Sequence, residues 1–230
     1  MTHHIIPSVH LSTPRQAQLH PADGAKDCLL FLDGELYTDR VTSPLILNEA
    51  QAAGLLPPVT CVYLPNASAA GRHADYTCNE GFAAFIAEEM PRWIEREAGP
   101  FERVFLCGLS LSALQAVFTA LKYPGVFAGV LAQSPSAWWQ EEWLAHSLPT
   151  MPSPPQRMWL SVGTKEVQTS LSHPPTPLVQ KISQLDSVRR LSTALTAVGH
   201  DIHHHEYNGG HESACWAAEL VEALAWLMRK

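Results

Sequence analysis

The chain has 230 residues, with 15 Lys and Arg against 22 Asp and Glu, which gives a formal net charge of −7. Charged residues make up 16% and hydrophobic residues 46%, a mix too apolar for a disordered chain and sufficient for one sizeable core. The acidic balance argues against nucleic-acid binding. No apolar stretch approaches the roughly 18 residues needed to span a bilayer, so we expect no membrane partner.

The cysteines and the start of the chain indicate a compartment. Five cysteines, an odd number without CxxC spacing, argue against a disulfide framework or a zinc site. The first seven residues lack the basic region and apolar run of a signal peptide. We therefore expect a cytoplasmic protein with reduced thiols, built as a single domain over residues 1–230.

Unbroken apolar runs that end at turn residues predict strands buried on both faces, as in a parallel sheet. A short first strand is predicted at residues 8–11, and the apolar runs follow at residues 28–32, 59–64, 104–107, 130–132, 158–162 and 202–207. The last run is more polar and is therefore expected near a sheet edge.

Apolar residues at three- and four-residue spacing predict helices between these strands. They lie around residues 82–94, 114–121, 185–198 and 216–228, and Pro91 predicts a kink or an early break in the first. Such alternation is typical of an α/β fold with a mostly parallel central sheet and helices on both faces.

One serine lies where a predicted strand ends and a predicted helix begins, within Gly108-Leu109-Ser110-Leu111-Ser112. A sharp turn at this junction exposes the hydroxyl for nucleophilic attack, and small residues two positions either side let the backbones approach. Gly108 meets the first requirement, and Ser112 stands where glycine is usual. The pattern alone also fits an ordinary helix N-cap.

A base and an acid are available in the chain order nucleophile, acid, histidine. His211 follows the last predicted strand, after two glycines that allow a tight loop. Glu166 follows the strand at 158–162, and we expect it to orient the imidazole; a loop glutamate paired with Lys165 is the alternative. Asp201 is the rival acid, but it precedes the last strand, at the opposite end of the sheet.

Two backbone N–H groups are needed to stabilise the oxyanion of an acyl-transfer reaction. The first is that of Leu111, directly after the serine. The second is that of Gly34 or Glu35, because Asp33-Gly34-Glu35 leaves an early strand at the carboxyl edge, where active sites of such sheets gather. Asp33-Gly34 equally fits a plain turn.

The run His203-His204-His205 raises the question of a metal site. Consecutive strand residues point to opposite faces, so His203 and His205 alone would share a side, and no cysteine supports them. We expect no metal, and the serine chemistry needs no organic cofactor.

With these residues identified, the sequence resembles the catalytic domain of the enterochelin (enterobactin) esterases, in the esterase-D-like branch of the α/β-hydrolases. The most specific stretches are Gln133-Ser134 followed by Ser136 and Trp138-Trp139, and Gly209-Gly210-His211 followed by Cys215-Trp216. The resemblance implies an α/β-hydrolase fold and hydrolysis of the serine trilactone of a catecholate siderophore after iron uptake. It also implies Ser110 as nucleophile, His211 as base and Glu166 as acid.

The resemblance further implies substrate-binding residues. Arg72 falls where the family has an arginine that can face an anionic catecholate, and an ion pair with Asp75 is its alternative interpretation. Asn79, Trp138 and Trp216 are the other candidates, although Trp138 could equally fill the core.

Other functions stay open at this point. The same site would serve a carboxylesterase, a thioesterase or an acyltransferase acting on another small ester, and a catalytically silent binding scaffold is a further alternative. A ferric tris-catecholate carries a triple negative charge, whereas this chain is acidic, with Arg72 and Lys165 as the basic residues expected near the rim.

Overall fold

The computed structural model describes residues 1–174 and 176–229, so Pro175 and Lys230, both within the predicted domain 1–230, lie outside the described residues. The strands are β1 (Thr2–Ile6), β2 (Arg15–His20), β3 (Asp27–Leu32), β4 (Val59–Leu64), β5 (Arg103–Leu109), β6 (Gly129–Gln133), β7 (Arg157–Gly163), β8 (Leu171–Ser172), β9 (Val179–Gln180) and β10 (Asp201–Tyr207). The helices are α1 (Gly34–Asp39), α2 (Ser43–Ala52), α3 (Ala69–Tyr76), α4 (Glu80–Ala84), α5 (Met90–Ala98), α6 (Leu111–Lys122), α7 (Trp143–Ser147), α8 (Gln184–Ala197) and α9 (Ser213–Met228).

One mixed sheet organises the described residues, in the strand order β1-β2-β4-β3-β5-β6-β7-β10. The pairs β1–β2 and β2–β4 are antiparallel, and every later pair is parallel. The last strand lies at an edge, as its polar composition predicts. Strands β8 and β9 form a separate antiparallel hairpin. The carboxyl ends of β3, β5, β6, β7 and β10 therefore share one edge of the main sheet.

The central strands are buried on both faces, which explains their unbroken apolar sequences. In β3, Leu30 belongs to a core beneath α4 to α6 and α8, whereas its neighbour Leu29 belongs to a second core beneath α1, α2 and α9. Successive side chains alternate between these cores because a strand has a two-residue period. The helices thus cover both faces of the sheet, as predicted.

The predicted strand at residues 8–11 is wrong. The Ser8 hydroxyl accepts hydrogen bonds from the N–H groups of His10 and Leu11, at 3.1 and 3.0 Å, and this closes a bend. A serine side chain that bonds nearby backbone in this way competes with strand pairing. The first strands instead lie on either side of this bend, as β1 and β2.

The helix around Pro91 continues through the proline, but its ladder changes before that residue. A π-helical turn spans Phe85–Glu89, and the Met90 N–H donates to the Phe85 carbonyl, five residues back. Pro91 then lies in the first turn of α5, where its missing N–H costs nothing within the helix. The predicted kink or break therefore takes the form of a π-helical turn.

Candidate active site

Ser110 occupies a strained turn between β5 and α6. Its backbone has φ 57° and ψ −121°, a conformation that a non-glycine residue adopts only where the surroundings hold it. A Cβ on Gly108 would collide with the Ser112 carbonyl and lie 2.7 Å from the Ala113 nitrogen, so strand and helix approach closely only because residue 108 is glycine. The Ser110 N–H donates to the Gln133 carbonyl of β6 at 2.8 Å.

Ser112, which stands where glycine is usual, contributes directly to this turn. Its hydroxyl donates to the Leu109 carbonyl at 2.8 Å and accepts from the Leu109 N–H at 3.0 Å. The side chain is fully buried. A serine is therefore compatible with the close packing, and it adds two hydrogen bonds that glycine could not make.

His211 lies on the loop between β10 and α9, with one nitrogen facing the serine. Its Nε2 is 3.0 Å from the Ser110 Oγ, and its Nδ1 is 2.6 Å from the Glu166 Oε2. Because a carboxylate only accepts, Nδ1 carries the proton, and Nε2 is free to accept from the serine hydroxyl. The indole ring of Trp216 packs edge-on against the imidazole, with centroids 4.9 Å apart.

The loops that carry His211 and Glu166 approach each other closely because glycines lie at their contact. A Cβ on Gly163 would collide with the Gly209 carbonyl, and one on Gly209 would collide with the Cys215 sulfur. The Lys165 N–H also donates to the Gly209 carbonyl at 2.9 Å. The backbone at the ends of β7 and β10 therefore fixes the separation of the two side chains.

Glu166 is buried and surrounded by hydrogen-bond donors. Its Oε1 accepts from the Gly163 N–H and the Ser134 hydroxyl, both at 2.8 Å, and from the Tyr207 hydroxyl at 3.0 Å. Burial alone would raise the pKa of Glu166, but hydrogen bonds from His211, Gly163 and Ser134 outweigh it and lower that pKa. The carboxylate is therefore held ionised beside the imidazole.

The rival acid lies elsewhere. Asp201 begins β10 at the opposite end of that strand and is exposed, with its carboxylate 3.7 Å from the Arg157 guanidinium. The structure therefore brings Glu166, and not Asp201, to His211. Lys165, the alternative partner of Glu166, is exposed at the cavity that borders the serine.

The segment after β6 links the serine to the acid, a role that the sequence analysis did not assign. The Ser136 N–H donates to the Ser110 carbonyl at 3.0 Å, and the two hydroxyl oxygens are 3.4 Å apart. Ser134, in the positive-φ region at 45°, bonds Glu166. The Gln184 amide of α8 donates to the Pro135 carbonyl at 2.8 Å and also to that of Ser134. A run of polar residues directly after a buried strand was the available signal.

A second buried carboxyl group, Glu219 of α9, lies behind this segment. Its Oε1 accepts from the Gln133 amide at 2.8 Å and the Ser161 hydroxyl at 2.5 Å. Its Oε2 has no hydrogen-bond partner among the described residues, and the nearest histidine nitrogen, Nε2 of His205, is 4.0 Å away. Burial raises the pKa of Glu219 to about 7.

The predicted oxyanion donors lie at the starts of two helices. Leu111 is the first residue of α6, and Gly34 and Glu35 are the first two of α1. N–H groups at these positions have no acceptor within their helix. Phe31 of β3 pairs with Cys107 of β5. Gly34 follows Phe31 by three residues and Ser110 follows Cys107 by three residues, so the two lie at the same level of the sheet.

Gly34 and Glu35 are held in place by β4 and its following loop. A Cβ on Gly34 would lie 2.7 Å from the Leu64 nitrogen, so only glycine fits this close approach. The Glu35 carboxylate accepts from the Asn66 N–H at 3.1 Å and from its side-chain amide. Burial, with Asp33 nearby, raises the pKa of Glu35. A plain exposed turn at Asp33-Gly34 does not fit this packing.

Arg72 pairs with Asp33 rather than with Asp75. Its Nε and Nη2 donate to the fully buried Asp33 carboxylate at 2.7 to 3.0 Å. The alternative partner, Asp75, instead accepts from Arg15 at 3.0 Å. Arg72 keeps 22% of its side chain exposed and borders a cavity next to Ser110.

Two other residues predicted to bind substrate lie outside the cavities. The Asn79 side chain caps α4, because its Oδ1 accepts from the Phe82 N–H at 2.8 Å and its Nδ2 donates to the Ala74 carbonyl at 3.1 Å. Trp216 is buried, with its indole N–H donating to the Ser134 hydroxyl at 3.2 Å. Neither side chain borders either of the two cavities at Ser110: Asn79 is a helix cap, and Trp216 packs behind His211.

Two cavities meet at Ser110. The histidine-side cavity, of about 370 Å³, is bordered by His211, Lys165 and Gln184. The arginine-side cavity, of about 240 Å³, is bordered by Arg72, His73 and Leu111. Ser110, Ser136, Trp138 and His173 border both cavities.

The three consecutive histidines pack against tryptophans or bond to charged neighbours. His203 stacks on Trp159 with centroids 4.1 Å apart, and His204 lies 3.1 Å from the Glu206 carboxylate. Over residues 1–174 and 176–229, no group of three or more His, Cys, Asp or Glu side chains is arranged to hold a metal ion. In the same part of the chain, no helix has the length and apolarity needed to cross a membrane.

The family follows from comparison with known proteins. A model of the family described as "Putative esterase" matches residues 8–227. The chain belongs to this esterase family. The iron(III) enterobactin esterase of Dickeya dadantii is 27% identical over 211 residues, which cover 86% of this chain and 47% of that protein. The iron(III) salmochelin esterase of Escherichia coli O6:H1 is 31% identical over 158 residues, 62% of this chain and 34% of that protein.

A solved structure agrees with the fold. The enterobactin esterase of Shigella flexneri, crystallised in the presence of enterobactin, matches with a TM-score of 0.83 at 22% identity, over 98% of this chain and 58% of that one. The α/β-hydrolase fold and the resemblance to the enterobactin esterases are thereby confirmed. This member of the esterase family spans about half the length of the curated relatives it matches.

Proposed function

We propose that the chain is a serine esterase in which Ser110, His211 and Glu166 act as nucleophile, base and acid. The observation that carries the proposal is the continuous line of contacts from the Glu166 Oε2 to His211 at 2.6 Å and from His211 to the Ser110 Oγ at 3.0 Å. The strained backbone of Ser110 supports it, because such strain is typical of functional positions.

In the proposed reaction, the Ser110 Oγ attacks an ester carbonyl while His211 accepts the hydroxyl proton. The ionised Glu166 keeps the imidazole in the required tautomer and stabilises the imidazolium. The oxyanion accepts hydrogen bonds from the N–H of Leu111 and from that of Gly34 or Glu35. His211 then protonates the leaving alcohol and activates water, which hydrolyses the acyl-enzyme. No residue in this scheme requires a metal or an organic cofactor.

We propose a catecholate trilactone siderophore of the enterobactin type as the substrate. The support comes from the named activities of the relatives, iron(III) enterobactin esterase and iron(III) salmochelin esterase. Arg72, which borders the arginine-side cavity, is the residue proposed to face the catecholate. The five free cysteines suit a reducing compartment, and we propose a single cytoplasmic domain with no nucleic-acid or membrane partner.

One observation favours a second candidate, hydrolysis of another small carboxylic ester or thioester. The Arg72 guanidinium forms an ion pair with the buried Asp33 carboxylate, and the negative charge of Asp33 offsets the positive charge of Arg72. Among the described residues that border the two cavities, Lys165 is the remaining lysine or arginine. This is a weak match to a ferric tris-catecholate with three negative charges, whereas an uncharged ester meets no such demand.

Mass spectrometry of a ferric trilactone catecholate siderophore incubated with the protein separates these candidates. Stepwise addition of water by the wild type, absent with Ser110→Ala, is the expected result. If no turnover occurs while a fluorophosphonate still labels Ser110, the serine esterase stands and the siderophore is replaced by another ester. If neither turnover nor labelling occurs, the proposed catalytic role of Ser110 is wrong.

A further inference from the structure

The wall between the two cavities is a stacked aromatic pair. The rings of Trp138 and His173 lie almost parallel, at 10°, with centroids 5.0 Å apart, and both residues border both cavities. Trp138 is buried in the segment that follows β6. His173 follows β8 on the hairpin, where its N–H donates to the Leu178 carbonyl at 3.1 Å. One half of the wall thus belongs to the core and the other half to the hairpin.

The two cavities differ in the catalytic atoms that they reach. His211 borders the histidine-side cavity, and Leu111 borders the arginine-side cavity. In ester hydrolysis the leaving oxygen takes its proton from the histidine, so the alcohol half must lie within reach of the His211 Nε2. The carbonyl oxygen must point at the Leu111 N–H at the same time. The acyl group takes the remaining direction at the carbonyl carbon, and the arginine-side cavity is the other of the two cavities that meet at Ser110. An ester attacked by Ser110 is therefore oriented with its alcohol half toward His211 and its acyl half in the arginine-side cavity.

We infer that the Trp138–His173 pair is a specificity wall that separates the acyl half of the substrate from its alcohol half. The inference rests on the proposed function and names how the same site divides its ester substrate, with the acyl half in the arginine-side cavity and the alcohol half in the histidine-side cavity. The arginine-side cavity, at about 240 Å³, is the smaller of the two. The imidazole of His173 contributes its flat ring to this wall, and its Nε2 is buried without a hydrogen-bond partner among the described residues.

The hairpin makes His173 the replaceable half of this wall. Only two register pairs, Leu171 with Gln180 and Ser172 with Val179, join β8 to β9 in the described residues. The His173 side chain is half-buried, whereas that of Trp138 is 6% exposed. Removal of the imidazole should open the arginine-side cavity toward the hairpin without disturbing the core, whereas truncation of Trp138 would leave a buried void.

Two ester series measure the wall. In the acyl series p-nitrophenol is fixed and the acyl group is acetyl, benzoyl or biphenyl-4-carbonyl; in the alcohol series acetyl is fixed and the alcohol is ethyl, benzyl or naphthylmethyl. For His173→Ala we expect kcat/KM for the biphenyl ester to rise at least about tenfold relative to acetate, since pocket shape typically discriminates by about 10- to 200-fold. Relative rates in the alcohol series should change by less than about threefold.

His173→Phe is the conservative variant and keeps a flat ring. It should retain the acyl preference of the wild type, whereas a role for an imidazole nitrogen would make it behave like His173→Ala. His146→Ala, an exposed histidine on α7 outside both cavities, is the matched control and should leave both series unchanged. Circular dichroism establishes that each variant is folded.

The inference of a specificity wall is overturned if His173→Ala changes kcat/KM for the biphenyl ester relative to the acetate by less than about twofold while p-nitrophenyl acetate is still cleaved. It is equally overturned if the acyl and alcohol series shift together, because that pattern indicates a general opening of the site. If the wild type cleaves no ester and Ser110 takes no fluorophosphonate, the proposed function itself fails, and the wall with it. Acetate cleavage therefore distinguishes the two failures.

Discussion

Replacement of Glu219 by glutamine tests whether a buried carboxyl group stays protonated near neutral pH. Glu219 is 5% exposed, and its Oε1 accepts hydrogen bonds from Gln133 and Ser161. A glutamine keeps an acceptor for both donors and cannot ionise. The amide nitrogen that replaces the Oε2 has no acceptor in place, which costs stability by an amount independent of pH.

The magnitude follows from the pKa of Glu219, raised to about 7 from a reference value of 4.5. Between these two values the folded protein holds a proton that the unfolded chain has released, so the free energy of unfolding falls as the pH rises through this window. At 1.36 kcal/mol for each pKa unit, the free energy of unfolding is lower by about 3 kcal/mol once the pH exceeds the pKa of Glu219 in the folded protein. The glutamine variant lacks this loss, so its stability relative to wild type improves by about 3 kcal/mol from acidic to alkaline pH.

Urea unfolding followed by tryptophan fluorescence measures this difference, since the chain has 7 tryptophans. Wild type and Glu219→Gln are compared at about pH 5 and about pH 8. The contributions of the other titrating groups to the free energy of unfolding are the same in both proteins and cancel in the difference. Glu95→Gln, exposed on α5, which packs in the core on the other face of the sheet, is the control and should track the wild type. If the stability difference between wild type and Glu219→Gln is the same at both pH values to within about 0.5 kcal/mol, the raised pKa is refuted.

Two further predictions concern the site itself. Glu166→Gln should lower kcat about 10⁴-fold, because a neutral amide cannot stabilise the imidazolium; Asp201→Asn is the control, and an equal loss in both variants would contradict the assignment. Ser112→Ala should lower the free energy of unfolding by about 1 to 2 kcal/mol through its two lost bonds to Leu109. Chemical denaturation measures this effect, and an unchanged midpoint would show that Ser112 does not hold the turn.

Much of the sheet could be predicted because burial leaves a local trace in the sequence. Every residue of β3, β4 and β6 is buried, so each strand reads as an unbroken apolar run. Helices α1, α2, α3 and α7 were not predicted, since they are short or carry little apolar periodicity. The strand predicted at residues 8–11 failed because a single hydroxyl, that of Ser8, closes a bend there.

The residues of the site likewise fall into those that the sequence predicts and those that it does not. Ser110, His211 and Glu166 could be named from chain order and from their places at strand ends, since parallel strands bring their carboxyl ends to one edge. The Arg72–Asp33 pair could not, because it joins residues 39 positions apart. Nor could the capping role of Asn79, because the same amide that could bind a substrate also satisfies a helix N-terminus.

The sequence by itself determined the class of fold, the candidate triad and the family resemblance, all of which depend on residue type and order along the chain. Tertiary structure decided how the acid is held ionised and how the site is divided. Ser134, Gly163 and Tyr207 donate hydrogen bonds to Glu166 from the ends of three strands. Trp138 stacks on His173, which lies on a hairpin more than thirty residues further along the chain. Hydrogen bonds and ring contacts act over a few ångströms, so packing, and not chain order, determines which side chains they join.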